Sequence, residues 1–381
     1  MRWLRRTLAI SCVALAGVAG FASLTVARGD RNLPLATAGM AFDGAATGRI
    51  LRTATQASVA SQTPVPEELA TLVDEALAAE PLNYAAHSAI ALQMRQADDP
   101  DLARFVELAS QVRPRTPSTI GLSMELASKD GDLNRVLRLL DRLHAVRPQL
   151  VRTAMPSIVA ELEKAPETVD YSALLAREPS WAPIFLSEAI GSEQLLPLVA
   201  QGRVRAPDAD VSNDLIDAAM VRKLVANGDF DTAWSLYELS SGSRTSGGLS
   251  MKDAKPPFDW ELFQTAGQNA TVKSDGTLEI SLSSGGAVAA KQIVRIPAGA
   301  NRLTGSISRS GTTDHDLIIR LGCAEADGST REVARIPARA TALDVPIAGE
   351  GSCRYRTLEI ATDRTSALQS GMIELRNLAI R

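Results

Sequence analysis

Prolines close three helical segments of this sequence at a nearly constant interval. The segments AAEP, QVRP and AVRP end at Pro81, Pro114 and Pro148, which are 33 and 34 residues apart. Apolar residues between them recur at three- and four-residue steps, as on one face of an amphipathic helix. A period of this length predicts stacked helix pairs, because a single pair cannot bury its apolar face alone.

The period is that of the tetratricopeptide repeat, a helix–turn–helix unit whose second helix ends at a proline. It predicts a tetratricopeptide-like α-solenoid over residues 62–242, in which the consensus aromatic residues of the first helix are missing. Gly131-Asp132 and Gly228-Asp229 mark turns between paired helices. Trp181, near a helix start, is interpreted as a packing residue between helices. Stacked helix pairs usually hold a peptide or protein partner.

Residues 1–27 combine a basic start with an uncharged segment. Arg2, Arg5 and Arg6 precede residues 7–27, which contain no charged side chain. About 20 apolar residues suffice to span a bilayer, and a basic flank stays in the cytoplasm. We therefore predict a single-pass signal anchor in a bacterial inner membrane, with the bulk of the chain in the periplasm. The alternative is a cleaved signal peptide, which would leave the mature chain free in the periplasm.

Two segments have the composition of connections. Residues 28–61 are rich in Ala, Thr, Gly and Ser, and we predict a spacer there with a short helix near residues 50–60. Residues 243–256 are rich in Gly and Ser and end at a Pro-Pro pair, which predicts a linker between two domains.

Six runs in the last third of the chain alternate between apolar and polar residues, which is typical of β-strands with one buried face. The runs are 277–283, 291–297, 302–308, 316–325, 357–363 and 372–381. Their spacing predicts an antiparallel β-sandwich of jelly-roll-like form over residues 257–381. The predicted fold class is therefore multidomain α plus all-β, with a transmembrane helix, an α-solenoid and a sandwich.

Cys323 and Cys353 lie in the predicted sandwich, and an exported chain meets an oxidising compartment. We predict a disulfide between them. Closing a loop of this length stabilises the folded state by about 3–4 kcal/mol in the chain-entropy treatment. The alternative is two separate buried thiols.

Phe258 and Trp260 occupy alternate positions at the start of the predicted sandwich, so both side chains would leave one strand on the same face. The inward face is the preferred interpretation, which makes Trp260 a core residue. The alternative is a glycan-binding site in which Trp260 and Tyr355 stack on sugar rings.

The sequence contains no motif that assigns a reaction. It has no phosphate loop, dinucleotide-binding glycine pattern, zinc-spaced Cys/His set or nucleophile elbow. His315, between two aspartates, is interpreted as a loop residue in a solvated turn. A net charge of −4 without a basic stripe disfavours nucleic acid as a partner. We therefore expect a non-enzyme without cofactor or metal; a glycoside hydrolase would need two facing carboxylates that no pattern here assigns.

The last third also resembles carbohydrate-binding-module or galactose-binding-like sandwiches, on an opening Phe-x-Trp, an I-P-x-G turn and a final L-x-N-L-x-I strand. Together with the basic, apolar N-terminus, the degenerate repeats and the stretches EPSWAPIFL and PFDWEL, the chain resembles the membrane-anchored tetratricopeptide-repeat proteins of Gram-negative bacteria that are associated with exopolysaccharide biosynthesis. The resemblance implies a non-catalytic periplasmic scaffold whose repeats hold protein partners. The alternative is a glycan-binding accessory protein that uses the sandwich to bind polysaccharide.

Overall fold

The computed structural model describes residues 44–61, 66, 69–241, 249, 252, 255–283, 286–311, 314–326, 329–347, 353–363 and 370–381. The chain divides into two compact units, residues 1–154 and residues 155–381. This division falls inside the predicted repeat region (62–242), and not at the predicted linker (243–256).

The first unit is helical throughout its described ranges. Its helices are α1 (Gly44–Ser61), α2 (Leu69–Ala79), α3 (Tyr84–Gln96), α4 (Leu102–Val112), α5 (Pro117–Lys129) and α6 (Leu133–Val146), followed by the start of α7 (Pro148–Lys164). Helices α2, α4 and α6 each end two residues before one of the three spaced prolines. A proline lacks the backbone N–H and disfavours helical geometry in the residue before it, so the predicted helix ends are confirmed.

Local capping explains where the paired helices turn. Gly131 has a φ of +73°, a left-handed conformation that a residue with a Cβ rarely adopts. Directly after it, the Asp132 carboxylate accepts a hydrogen bond from the Arg135 backbone N–H at 2.9 Å and caps α6. The Gly131-Asp132 pair therefore forms the turn that the sequence predicts.

Helix α1 corrects the predicted spacer at residues 28–61. It covers Gly44–Ser61, which is longer than the short helix expected near residues 50–60. Leu51 is fully buried in a cluster with Leu69, Val73 and Ala85, so this segment builds the core of the first unit. Residues 28–43 lie outside the described ranges.

The second unit begins within α7 and continues with shorter helices. They are a 3₁₀ turn (Pro166–Thr168), α8 (Tyr171–Leu175), α9 (Ala182–Ala189), α10 (Leu195–Arg205), α11 (Asp214–Ala226) and α12 (Phe230–Ser241). Trp181 is fully buried and meets Phe185 edge to face at 6.0 Å, as expected of a packing residue. A Cβ on Gly202 would lie 2.7 Å from the Cβ of Tyr171, so glycine permits the close approach of α8 and α10.

Two antiparallel sheets complete the second unit. Their strands are β1 (Glu261–Leu262), β2 (Gln264–Thr265), β3 (Gln268–Val272), β4 (Leu278–Leu282), β5 (Val288–Arg295), β6 (Arg302–Gly311), β7 (Leu317–Cys323), β8 (Thr330–Ile336), β9 (Ala342–Pro346), β10 (Tyr355–Thr362) and β11 (Gly371–Ile380). The orders are β1-β5-β10-β7-β8 and β2-β3-β4-β11-β6-β9. One core of buried side chains from both sheets lies between them, and it includes Ile280, Ile319 and Ile360.

The coarse fold class is confirmed: a helical part precedes a sandwich-like pair of sheets. Each of the six predicted runs contains a strand, whereas β1, β2, β3, β8 and β9 were not predicted individually. Strand β8, at the edge of its sheet, has no clean alternation of buried and exposed residues. None of the helices in the described ranges is long and apolar enough to cross a membrane, and the predicted anchor at residues 7–27 lies outside those ranges.

Candidate functional site

A groove of about 980 Å³ opens in the first unit, where α4 and α6 end and α5 and α7 begin. Its walls also include one side of α1 and the start of α3. Four arginines line it: Arg52, Arg113, Arg115 and Arg147. No aspartate or glutamate occurs among the described residues that line it, so the groove is cationic although the whole chain carries a net charge of −4.

Tyr84 fixes two of the four guanidinium groups. Arg52 donates a hydrogen bond from Nη1 to the Tyr84 hydroxyl at 2.8 Å. The guanidinium carbon of Arg113 lies over the Tyr84 ring, 5.8 Å from its centroid, and Nη2 lies 3.6 Å from a Glu80 carboxylate oxygen. These contacts hold the two guanidinium groups in place.

Arg115 and Arg147 are exposed, and neither forms an ion pair with another residue of the described ranges. Arg147, like Arg113, is the residue that ends a helix, where a cation offsets the negative end of the helix dipole. That effect accounts for part of the placement of Arg147, whose guanidinium donors, like those of Arg115, have no carboxylate partner in the described ranges. An arginine offers several donors in a planar fork that matches a carboxylate.

Apolar and hydroxyl groups lie beside the cations. Val112 is 47% exposed and Leu150 is 46% exposed, unusually high values for large apolar side chains. Thr55 is buried, and its hydroxyl has no hydrogen-bond partner in the described structure. Across the groove, the Ser88 and Ser118 hydroxyls are 2.6 Å apart. The groove therefore offers both carboxylate-binding donors and apolar contact area.

The residues predicted for glycan stacking do not lie on a surface. Trp260 is fully buried in the sandwich core, and Tyr355 is 1% exposed. Stacking on a sugar needs an open ring face, and neither ring has one in this structure. Phe258 and Trp260 also precede β1 instead of alternating along one strand: Trp260 points into the sandwich, whereas Phe258 contacts helix α12.

Tyr355 belongs instead to a junction between α12 and the sandwich, which we call the aromatic junction. It consists of Phe230, Trp234, Tyr237, Phe258 and Tyr355, with ring centroids 5.0–6.4 Å apart between contacting pairs. All five side chains are buried. The predicted linker at residues 243–256 separates α12 from the sandwich, so this junction was not predicted.

Carboxylates reinforce the aromatic junction at two points. Asp231 accepts hydrogen bonds at 2.8 Å from both the Tyr355 hydroxyl and the Arg354 guanidinium. Burial, reinforced by the bond to Asp231, raises the pKa of Tyr355 well above its usual range. Asp259 accepts from the Tyr237 hydroxyl at 2.6 Å and from the Lys255 backbone N–H at 2.7 Å.

The predicted disulfide is confirmed. Cys323 and Cys353 are bonded, with Cα atoms 5.9 Å apart, and Glu325 lies beside them. The three residues are grouped closely enough to ligate a metal, but the two sulfurs are bonded to each other and are therefore not thiolate ligands.

His315 lies in a loop, as predicted, but its interpretation as a solvated residue is wrong. Its side chain is fully buried, and Nδ1 lies 3.1 Å from the backbone carbonyl oxygen of Asp363. The Asp363 carboxylate in turn accepts from the Asp316 backbone N–H at 2.8 Å. These bonds connect the start of β7 to the end of β10. This structural role was not predicted, because the aspartates on either side of His315 suggested a solvated turn.

No protein-family model and no curated protein matches the chain. Two solved structures of CBM29-2 variants, described as family 29 carbohydrate-binding modules, are similar to part of it at 14% identity, with a TM-score of 0.20. Each match covers 29% of this chain, and 69% and 74% of the respective module chains. At this TM-score the similarity supports no statement about the fold or the ligand of this chain.

Proposed function

We propose that the protein is a non-catalytic scaffold of the bacterial periplasm. In this proposal residues 7–27 anchor it in the inner membrane, and a tetratricopeptide-like array holds a protein partner of an envelope assembly. The assembly we propose is one for exopolysaccharide synthesis or export. The jelly-roll-like sandwich stabilises the end of the array and carries no reaction.

The cationic groove is the observation that supports this proposal. Its four arginines converge on one concave surface of an array whose helix ends repeat every 33–34 residues. The described residues that line the groove supply hydrogen-bond donors and apolar side chains. They include no carboxylate, histidine or cysteine. Such a surface suits binding better than acid–base or nucleophilic chemistry, which needs those groups.

The glycan-binding alternative was based on the rings of Trp260 and Tyr355, and both are buried. Phe263 is half-buried, and the other aromatic side chains in the described part of the sandwich are buried. We therefore assign partner binding to the helical array and keep polysaccharide as an outcome to be tested.

Affinity capture tests the proposal. The full-length chain with a C-terminal tag would be cross-linked in cells, extracted from membranes with detergent and analysed by mass spectrometry. We expect an envelope protein from a polysaccharide assembly system to be recovered in proportion to the bait. Recovery of cytoplasmic proteins alone, or of no specific protein, would contradict the scaffold function.

A further inference from the structure

We infer that the groove recognises an acidic, extended segment of the partner protein, with apolar side chains between its carboxylates. The inference rests on the proposed scaffold function and specifies the chemistry of the segment that is bound.

Charge complementarity is the first argument. Arg52, Arg113, Arg115 and Arg147 line a volume that has no carboxylate among its described lining residues. Glu80 pairs with Arg113 at 3.6 Å, whereas Arg115 and Arg147 pair with no carboxylate of the described ranges. Carboxylates are the protein groups that bind guanidinium forks best, and a bidentate pair adds geometric specificity.

The repeat places the cations in series. The triplet Val-Arg-Pro occurs at residues 112–114 and again at 146–148, and the valine and arginine of both copies line the groove. Equivalent residues of successive helix pairs lie side by side in a stacked array. A partner that runs along the stack therefore meets an arginine and a valine from each of two successive helix pairs, which favours an extended segment.

The apolar groups favour a peptide over other polyanions. Val112 and Leu150 are nearly half exposed beside the guanidinium groups, where peptide side chains such as leucine would cover them. Single-stranded nucleic acids stack their bases on open aromatic rings. Among the described residues that line the groove, the aromatic one is Tyr84. The Arg113 guanidinium already lies over its ring.

An unused donor lies among these groups. The Thr55 side chain lines the groove, the residue is 8% exposed, and its hydroxyl has no hydrogen-bond partner in the described structure. Buried hydroxyls are normally paired, so an unpaired one in a binding groove is consistent with a ligand acceptor.

The test measures binding of a defined peptide to the full-length protein in a non-ionic detergent. The probe is a short fluorescent peptide in which glutamates alternate with leucines and alanines, followed by anisotropy. The matched peptide carries glutamine in place of each glutamate. We expect the glutamate peptide to bind at least about tenfold more tightly, and the difference to shrink between about 50 mM and 500 mM salt because exposed charges are screened.

Variants locate the binding site. Arg115→Glu combined with Arg147→Glu should weaken binding of the glutamate peptide at least about tenfold, since it replaces attraction with repulsion. Arg115→Gln combined with Arg147→Gln should give an intermediate loss. The control is Arg104→Glu combined with Arg138→Glu, which changes the net charge equally at exposed arginines of α4 and α6 outside the groove lining. Circular dichroism and thermal unfolding would show that each variant remains folded.

Three outcomes would overturn the inference: equal binding of the two peptides, equal loss in the groove and control variants, or tighter binding of polygalacturonate than of the glutamate peptide. These outcomes differ from failure of the scaffold function. If the groove variant still captures the same envelope partner from membranes, the scaffold stands and the acidic-segment inference is wrong.

Discussion

The cationic groove of the first unit and the aromatic junction of the second unit differ in the side chains that their helices present. Where α4 and α6 end, arginines and a half-exposed valine remain open to solvent. Along α12, Phe230, Trp234 and Tyr237 are buried instead against Phe258 and Tyr355. Helices of the first unit thus present exposed cations, whereas α12 of the second unit forms a buried internal contact.

The aromatic side chains of the junction and the arginines of the groove contribute differently to the protein. The aromatic residues, which make up 4% of the chain, are concentrated in buried contacts and so serve stability. The arginines of the groove line a surface that has no carboxylate among its described residues, and recognition is the role that we propose for them. Substitutions in the junction should therefore change stability, and substitutions in the groove should change binding.

The largest effect is expected from Phe258→Ala. Phe258 is fully buried and contacts Trp234, Tyr237 and Tyr355, so truncation leaves a cavity. Truncating a buried phenylalanine costs about 3–5 kcal/mol. Urea unfolding followed by tryptophan fluorescence would measure this loss, because Trp181, Trp234 and Trp260 all lie in the second unit.

The control for this variant is Leu215→Ala on α11. Leu215 is 82% exposed, and its truncation should change the free energy of unfolding by less than about 0.5 kcal/mol. A Phe258→Ala protein as stable as the Leu215→Ala protein would show that the junction is not a stabilising contact.

The next effect concerns the disulfide. Replacing Cys323 and Cys353 together by alanine should lower the free energy of unfolding of the second unit by about 3–4 kcal/mol, because the unfolded chain gains the freedom of a 30-residue loop. Cys12→Ser is the control for a lost thiol. The expectation fails if the reduced wild-type protein and the double variant unfold at the same urea concentration as the oxidised protein.

Sequence reasoning succeeded where a local pattern determines the structure. The spaced prolines predicted where α2, α4 and α6 end, and period-two alternation predicted six of the strands, because both effects act within one segment. The Cys323–Cys353 pair was predicted from export and composition. Helix α1 was underestimated because its Ala, Thr and Gly residues resemble a spacer, and its burial of Leu51 depends on neighbouring helices.

The two sites themselves depend on tertiary contacts. Phe258 and Trp260 were expected on one strand face, but the chain bends before β1 and sends the two rings to different neighbours. The Val-Arg-Pro triplets were noted only as helix ends. Their convergence with Arg52 and Arg115 follows from stacking of the helices, although the repeated triplet was a usable signal.

A smaller effect is expected at alkaline pH. Because the pKa of Tyr355 is raised in the folded state, the unfolded chain loses this proton first. The contribution of this raised pKa to the free energy of unfolding is complete below pH 10. It is lost as the pH rises above 10, by up to about 1.4 kcal/mol per pH unit. Unfolding at pH 9 and at pH 11 should show a smaller drop in stability for Tyr355→Phe than for the wild type. An identical drop would contradict a folded-state shift at Tyr355.

The smallest effect on stability is expected from the groove. Arg115→Gln combined with Arg147→Gln should change the thermal unfolding temperature very little, because both side chains are exposed and unpaired within the described structure. Differential scanning calorimetry would measure it. Destabilisation by more than about 1 kcal/mol would mean that these arginines support the fold, and it would remove the contrast between groove and junction.

Photo-cross-linking tests the central claim, that the partner segment binds in the groove, most directly. The glutamate peptide would carry a photo-reactive group, and the full-length protein would be digested and sequenced by mass spectrometry after irradiation. We predict cross-links at residues 112–118 and 146–150 that the glutamate peptide, but not the glutamine peptide, competes away. Cross-links confined to the sandwich, residues 257–381, would contradict the claim.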